Sequence, residues 1–211
     1  MSAAEPSHGA GAGVGRFAEL AAAVGAVASS GAVGAVESVG ADEAGAAASA
    51  PVSAELTVDD PERMHAFGLE VGRRLGAGDL VLLAGDLGAG KTTFTRGLGE
   101  GLGVRGPVTS PTFVLARTHP SLVGGAPLVH VDAYRLGSAL ELDDLDIDFE
   151  HAVVVVEWGA GLIEALADSW LSITIDRPHG AGPAQDDEPD EGAEPVEPRR
   201  VSLTPVGGRW S

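Results

Sequence analysis

The chain has 211 residues, with 31 acidic side chains against 13 lysines and arginines, a net charge of −18 and no cysteine. That length suits a single domain. The charge argues against a protein that grips a nucleic-acid phosphate backbone with its own surface, and the absence of thiols excludes a disulfide framework, cysteine catalysis and a cysteine-based zinc site.

Residues 1–52 are mostly Ala, Gly, Ser and Val, with Arg16 as the one basic residue and Phe17 as the one aromatic. So little large apolar surface does not offset the entropy of ordering the segment. It reads as a low-complexity, disordered tail, with a weak helix over the small-residue run Ala21–Val36 as the alternative. No basic n-region precedes that run, so it does not read as a signal segment. With no membrane span the chain is expected in the cytosol, and residues 53–211 are expected to form the folded domain.

Asp79-Leu80-Val81-Leu82-Leu83-Ala84 is an apolar run of strand length, and Thr93 to Leu102 reads as a helix. Between them, Gly85-Asp86-Leu87-Gly88-Ala89-Gly90-Lys91-Thr92 fits the phosphate-binding pattern G-x-x-x-x-G-K-[ST]. Strand, glycine loop and helix together aim backbone N–H groups and a helix N-terminus at an anion. Lys91 is the only lysine of the chain, although arginine occurs twelve times. A compact ammonium on a flexible stem fits among phosphates where a planar guanidinium does not. Thr92 is placed to put its hydroxyl on Mg²⁺, and Thr93 continues the loop into the helix.

The next segment, Val108 to Leu115, carries Thr109, Ser110 and Thr112 around Pro111 just before an expected strand. Two readings stay open: a segment that senses a terminal phosphate, with Ser110 and Thr112 at the nucleotide, or an ordinary turn. In Leu128 to Leu136, alternation puts His130, Asp132 and Tyr134 on one face of a strand and Val129 and Val131 on the other. Asp132 falls near the strand end, where an acid binds Mg²⁺ or its waters or orients an attacking water; His130 reads as a half-buried sheet residue.

Ser138 to Asp148 interleaves acids with leucines, as a solvated helical face or as a docking surface for a basic partner. Ala152 to Trp158 holds four consecutive valines, which suggests a parallel strand buried on both faces. Glu157 at its end lies where open α/β sheets place ligands, on Mg²⁺ or a water, and Trp158 reads as core or, as the alternative, as facing the nucleotide. Residues 179–198 carry seven acids and four prolines and read as an acidic, disordered insertion. It separates two alternating runs, Leu171–Ile175 and Arg200–Leu203, that are expected to pair as strands.

Four of these motifs, GDLGAGKTTF at 85–94, TSPTF at 109–113, HVDAYRL at 130–136 and VVEW at 155–158, resemble in order and spacing those of the TsaE (YjeE) family. The resemblance covers about residues 55–176. It implies an α/β domain of P-loop NTPase type, a mixed sheet flanked by helices. It implies an ATPase of tRNA threonylcarbamoyladenosine synthesis, which modifies adenosine beside the anticodon in tRNAs reading ANN codons. It also implies ATP and Mg²⁺ as cofactors, and TsaB and TsaD as partners through which alone tRNA is met. Carried over residue by residue, it places the phosphate loop on Gly85–Thr92, Mg²⁺ on Thr92 and Glu157, the essential aspartate on Asp132 and the switch-like segment on Ser110 and Thr112. The stretch Thr57–Glu62 loosely matches the edge of the adenine pocket. A GTPase would need a second lysine for guanine recognition, which the chain lacks. A small-molecule kinase would carry an arginine-bearing lid where this chain is acidic, and a non-hydrolysing ATP sensor is disfavoured by Asp132 and Glu157.

Overall fold

The computed structural model describes residues 12–28, 53–177 and 197–210. Seven strands, β1 (Ala54–Val58), β2 (Leu80–Ala84), β3 (Ala116–His119), β4 (Leu128–Asp132), β5 (Val153–Glu157), β6 (Trp170–Asp176) and β7 (Arg199–Val206), build one sheet. Their order is β1-β7-β6-β2-β5-β4-β3. The central four, β6, β2, β5 and β4, are parallel, whereas β7 runs antiparallel to β6 and β1, and β3 antiparallel to β4. The sheet is therefore mixed, with helices α1 (Ala12–Ala28), α2 (Pro61–Gly72), α3 (Lys91–Gly101) and the short α4 (Ala139–Asp143) around it.

The valine run explains itself in this setting. Val153 and Val155 join the core formed with Phe67 of α2 and Phe94 of α3, while Val154 and Val156 join the opposite core with Leu142 of α4 and Ile163. The expected pairing across the acidic segment is present, with Ile173 opposite Leu203 and Ile175 opposite Val201. Of residues 179–198 themselves, all but Glu197 and Pro198 lie outside the described residues. Val114 and Leu115, expected to enter a strand, instead belong to a turn whose N–H groups bond Pro111 O, and β3 starts at Ala116. Leu115 carries φ +65°, which a regular strand does not accommodate.

α2 starts on Asp60, whose side chain accepts the Arg63 N–H at 2.7 Å, with Pro61 fixing the first turn. α2 and α3 then meet backbone to backbone. A Cβ at Gly68 would lie 2.1 Å from Phe94 O, and one at Gly97 would lie 2.0 Å from His65 O. Gly72 and Gly101 make the same kind of approach to Leu98 O and Leu69 O. No residue with a side chain fits at these positions.

The N-terminal segment departs from the expected tail. Residues 12–28 form a helix, and Phe17, Leu20, Val24 and Ala28 are buried in the same core as α2 and α3. The remainder of 1–52 lies outside the described residues. Spacing of three and four residues places these four side chains on one helical face, and α1 is also held by charge. Asp79, fully buried, receives Arg16 Nη1 at 2.8 Å, Arg209 Nε at 2.6 Å and the Gly76 N–H at 2.7 Å. Arg16 also lies 4.3 Å from the centroid of the buried Trp210 ring.

Two consequences follow for stability. Phe17→Ala should lower unfolding free energy by about 3 kcal/mol, read from urea denaturation; an unchanged midpoint would mean that α1 does not hold to the core in solution. For Asp79, burial pushes the carboxyl up, but hydrogen bonds from Arg16, Arg209 and Gly76 outweigh it and hold the group below its usual range. A depressed folded value stabilises above the unfolded pKa of about 3.9, and that contribution is lost as pH falls through the folded value. Asp79→Asn should therefore cost about 3 kcal/mol at pH 7, and its deficit against the parent should shrink below pH ~4.

Candidate functional site

β2 ends at Ala84 and α3 begins at Lys91, and the loop between them curls over the sheet end. Gly85 takes φ +142° and a Cβ there would lie 2.4 Å from Ile175 O of β6. Only glycine passes beneath that carbonyl. Gly90, at φ +116°, supplies the left-handed residue that opens α3.

A cavity of about 290 Å³ lies at this turn, lined by Leu87, Gly88, Gly90, Lys91, Thr92, Thr93, Ser110, Thr112, Asp132, Glu157 and Trp158. Eight of the eleven loop and switch residues expected from sequence thus line it. Ala89 is instead buried in the core, and its carbonyl accepts Arg199 Nε at 3.3 Å. Gly85 and Asp86 turn their carbonyls to Lys91, whose Nζ donates to them at 2.6 and 3.1 Å. Burial pushes the Lys91 ammonium below its usual value, opposed by the charges of Glu157, Asp132 and Asp86.

The two carboxylates reach the cavity from the ends of neighbouring strands. β4 and β5 pair with Asp132 opposite Glu157, so both side chains leave the sheet on the same face beside the end of β2. Asp132 Oδ1 accepts the Tyr134 N–H at 3.0 Å and Oδ2 accepts the Thr112 hydroxyl at 2.8 Å. Because Thr112 directs its proton to Asp132, Ser110 is the donor in the 2.7 Å contact between the two hydroxyls. Arg135 donates to the Thr112 carbonyl, and Arg117 Nη1 to Thr109 Oγ1 at 2.9 Å. The Thr109–Thr112 segment is therefore wired to the strand-end acid, which an ordinary turn would not require.

Two residues lie otherwise than the sequence reading favoured. Trp158, read as core in preference to facing the nucleotide, is 38% exposed at φ +60°, with its ring 4.3 Å from Lys91 Nζ and edge-on to Tyr134 at 5.6 Å. A strand that ends at Glu157 and turns there throws the next side chain over the loop. His130, expected to be half-buried, is fully buried, with Nε2 2.8 Å from Glu157 Oε1. Its position two residues before Asp132, on the same strand face, was the available signal.

The donor set suits a phosphorylated ligand with a hard cation. Thr92 and the carboxylates offer oxygen, and Mg²⁺ keeps several waters and is commonly held by one or two protein oxygens together with phosphates. Among the described residues no cluster of three or more acidic, histidine or cysteine side chains forms a cage for a metal by itself. No helix among them is long and apolar enough to cross a membrane.

Comparison with known proteins agrees with this geometry. The family model described as "Threonylcarbamoyl adenosine biosynthesis protein TsaE" matches residues 58–182. A Streptomyces coelicolor protein named tRNA threonylcarbamoyladenosine biosynthesis protein TsaE is 56% identical over 149 residues, which cover 67% of this chain and 93% of the relative. A Bacillus subtilis protein of the same name is 40% identical over 136 residues, covering 63% of this chain and 73% of the relative. The crystal structure of Bacillus subtilis YdiB superposes with a TM-score of 0.56 at 33% identity, over 77% of this chain and 92% of that one. With the phosphate-loop geometry, the mixed sheet and these matches in agreement, the chain belongs to the TsaE family of threonylcarbamoyl adenosine biosynthesis proteins.

Proposed function

We propose that this chain is an ATP-binding and ATP-hydrolysing subunit of the system that places threonylcarbamoyl on adenosine next to the anticodon, working with TsaB and TsaD. The observation that carries the reading is the convergence of Lys91, Asp132 and Glu157 on one cavity at the phosphate-type loop of a TsaE-family chain. The loop N–H groups from Gly88 to Thr93 would bind the phosphates, and Lys91 would exchange its bonds to Gly85 and Asp86 for bonds to phosphate oxygens. Thr92 and Glu157 would hold Mg²⁺, which would neutralise charge developing on the transferred phosphoryl group. Asp132 would orient the attacking water, and Ser110 and Thr112, linked to it by hydroxyl bonds, would report the terminal phosphate to the surface.

That surface carries Phe113, 92% exposed, and Tyr134, 70% exposed, beside the switch-like segment. The acids at 141–148 follow on α4 and the turn after it. Such a face suits a protein partner rather than a phosphate backbone, so tRNA is met through TsaB and TsaD.

In a reconstituted mixture with TsaB and TsaD, Lys91→Ala and Lys91→Arg should each weaken ATP binding strongly in calorimetry. Asp132→Asn and Glu157→Gln should keep the parental melting temperature yet lose about 100-fold in hydrolysis, equivalent to about 2.7 kcal/mol of barrier. Parental ATP affinity in both Lys91 variants would remove the phosphate-loop assignment. Parental turnover in both carboxylate variants would remove the roles assigned to Asp132 and Glu157, whereas no hydrolysis by the parent with TsaB and TsaD present would turn the reading toward a sensor that binds without hydrolysis. As to tRNA, the isolated protein should retain none on a filter at physiological salt, and retention should appear when TsaB and TsaD are added. Tight binding by this chain alone would overturn the proposed division of labour.

A further inference from the structure

His130 is the one side chain that hydrogen-bonds the Glu157 carboxylate among the described residues. It reaches Oε1 at 2.8 Å from a fully buried position, and Glu157 itself is 3% exposed. The contact is diagonal across the sheet. β4 and β5 pair with His130 opposite Val155 and Asp132 opposite Glu157, so His130 lies two residues behind the register partner of Glu157 on the same face. Diagonal neighbours on a sheet face are about 7–8 Å apart at the backbone. An extended imidazole and a glutamate bridge that gap, whereas a serine, threonine or asparagine at position 130 would fall short.

The ring orientation is fixed by what surrounds it. Nδ1 is buried with no hydrogen-bond partner. With the proton on Nε2, the ring donates to Oε1 and only a lone pair at Nδ1 goes unpaired. The opposite tautomer would bury an unpaired N–H and present a lone pair to the carboxylate, which costs more on both counts. The bond holds one oxygen of Glu157. The other oxygen has no hydrogen bond within the described part of the chain and is left to the cavity that Glu157 lines.

We propose that His130 is a positioning residue for the nucleotide site: its Nε2–H fixes one oxygen of Glu157 so that the other faces Mg²⁺. This rests on the assignment of Glu157 under the proposed function. Asp132 is held in the same manner, by the Tyr134 N–H and Thr112, so each strand-end acid has its own support.

The test compares His130→Gln, whose amide nitrogen reaches about as far as Nε2, with His130→Leu and His130→Asn, which lack that donor at that reach. Magnesium would be titrated against a complex with a non-hydrolysable ATP analogue, followed by calorimetry, and hydrolysis would be measured with TsaB and TsaD present. His130→Leu and His130→Asn should raise the half-saturating Mg²⁺ concentration and lower kcat by about 10–100-fold. Analogue affinity without Mg²⁺ should stay within about twofold, and His130→Gln should recover most of both losses. In a Glu157→Gln background, His130→Asn should add nothing. Parental Mg²⁺ dependence in His130→Asn, or equal impairment of His130→Gln and His130→Asn, would overturn the proposal. If Glu157→Gln alone retains parental Mg²⁺ dependence and turnover, the Glu157 assignment is what has failed; if only the His130 variants behave as parent, the positioning role alone is lost.

Discussion

With glycine at four facing positions, α2 and α3 lie against one another through their main chains, and α3 has a single depth at which it can sit on the sheet. That depth decides everything at its N-terminus. Lys91 and Thr92 open the helix, and Gly85 must pass under the Ile175 carbonyl to reach them from β2. A larger side chain at Gly68 or Gly97 would push α3 outward and lift the loop away from Asp132 and Glu157. The glycines of α2 therefore serve the site as directly as those of the loop, although they touch nothing in the cavity.

The site brings charge into a place where burial penalises it. Lys91 is 7% exposed, and Asp132 and Glu157 are buried beside it. The arrangement tolerates this because each group has a fixed partner: carbonyls and an aromatic face for Lys91, a hydroxyl and an N–H for Asp132, an imidazole for Glu157. Asp79 solves the same problem at the opposite end of β2 with two arginines drawn from distant parts of the chain. One strand thus begins at a structural ion cluster and ends at the candidate site.

The phosphate loop was legible because its requirements are local: glycine backbone, one ammonium and one hydroxyl within eight positions. The valine strand and the β6–β7 pair were legible for the same reason, since burial pattern and alternation are written along a single segment. Phe17, Leu20 and Val24 carried a helical spacing too, but among so many small residues composition outweighed it, and the Asp79 that anchors Arg16 lies far along the chain. His130 and Trp158 needed information that no single segment contains. The contact of His130 with Glu157 depends on the register between two strands, and Trp158 depends on where β5 stops and turns. The Thr109–Thr112 segment reads from sequence either as chemistry or as a turn, because the Thr112–Asp132 bond joins residues 20 positions apart.

The strand order has a consequence for synthesis. β2, which leads into the phosphate loop, pairs on one side with β5 and on the other with β6, and both emerge from the ribosome much later. Until Val153–Glu157 has been made, β2 has neither neighbour and Glu157 does not exist to face Lys91. Until Arg209 and Trp210 are made, Asp79 lacks half of its arginine pair and Arg16 lacks its aromatic partner. Contacts so distant in sequence close slowly, because loop entropy must be overcome before they stabilise anything. The nucleotide site is therefore assembled near the end of translation, and a chain truncated before β6 would leave the hydrophobic β2 with an unpaired edge, open to association with other chains.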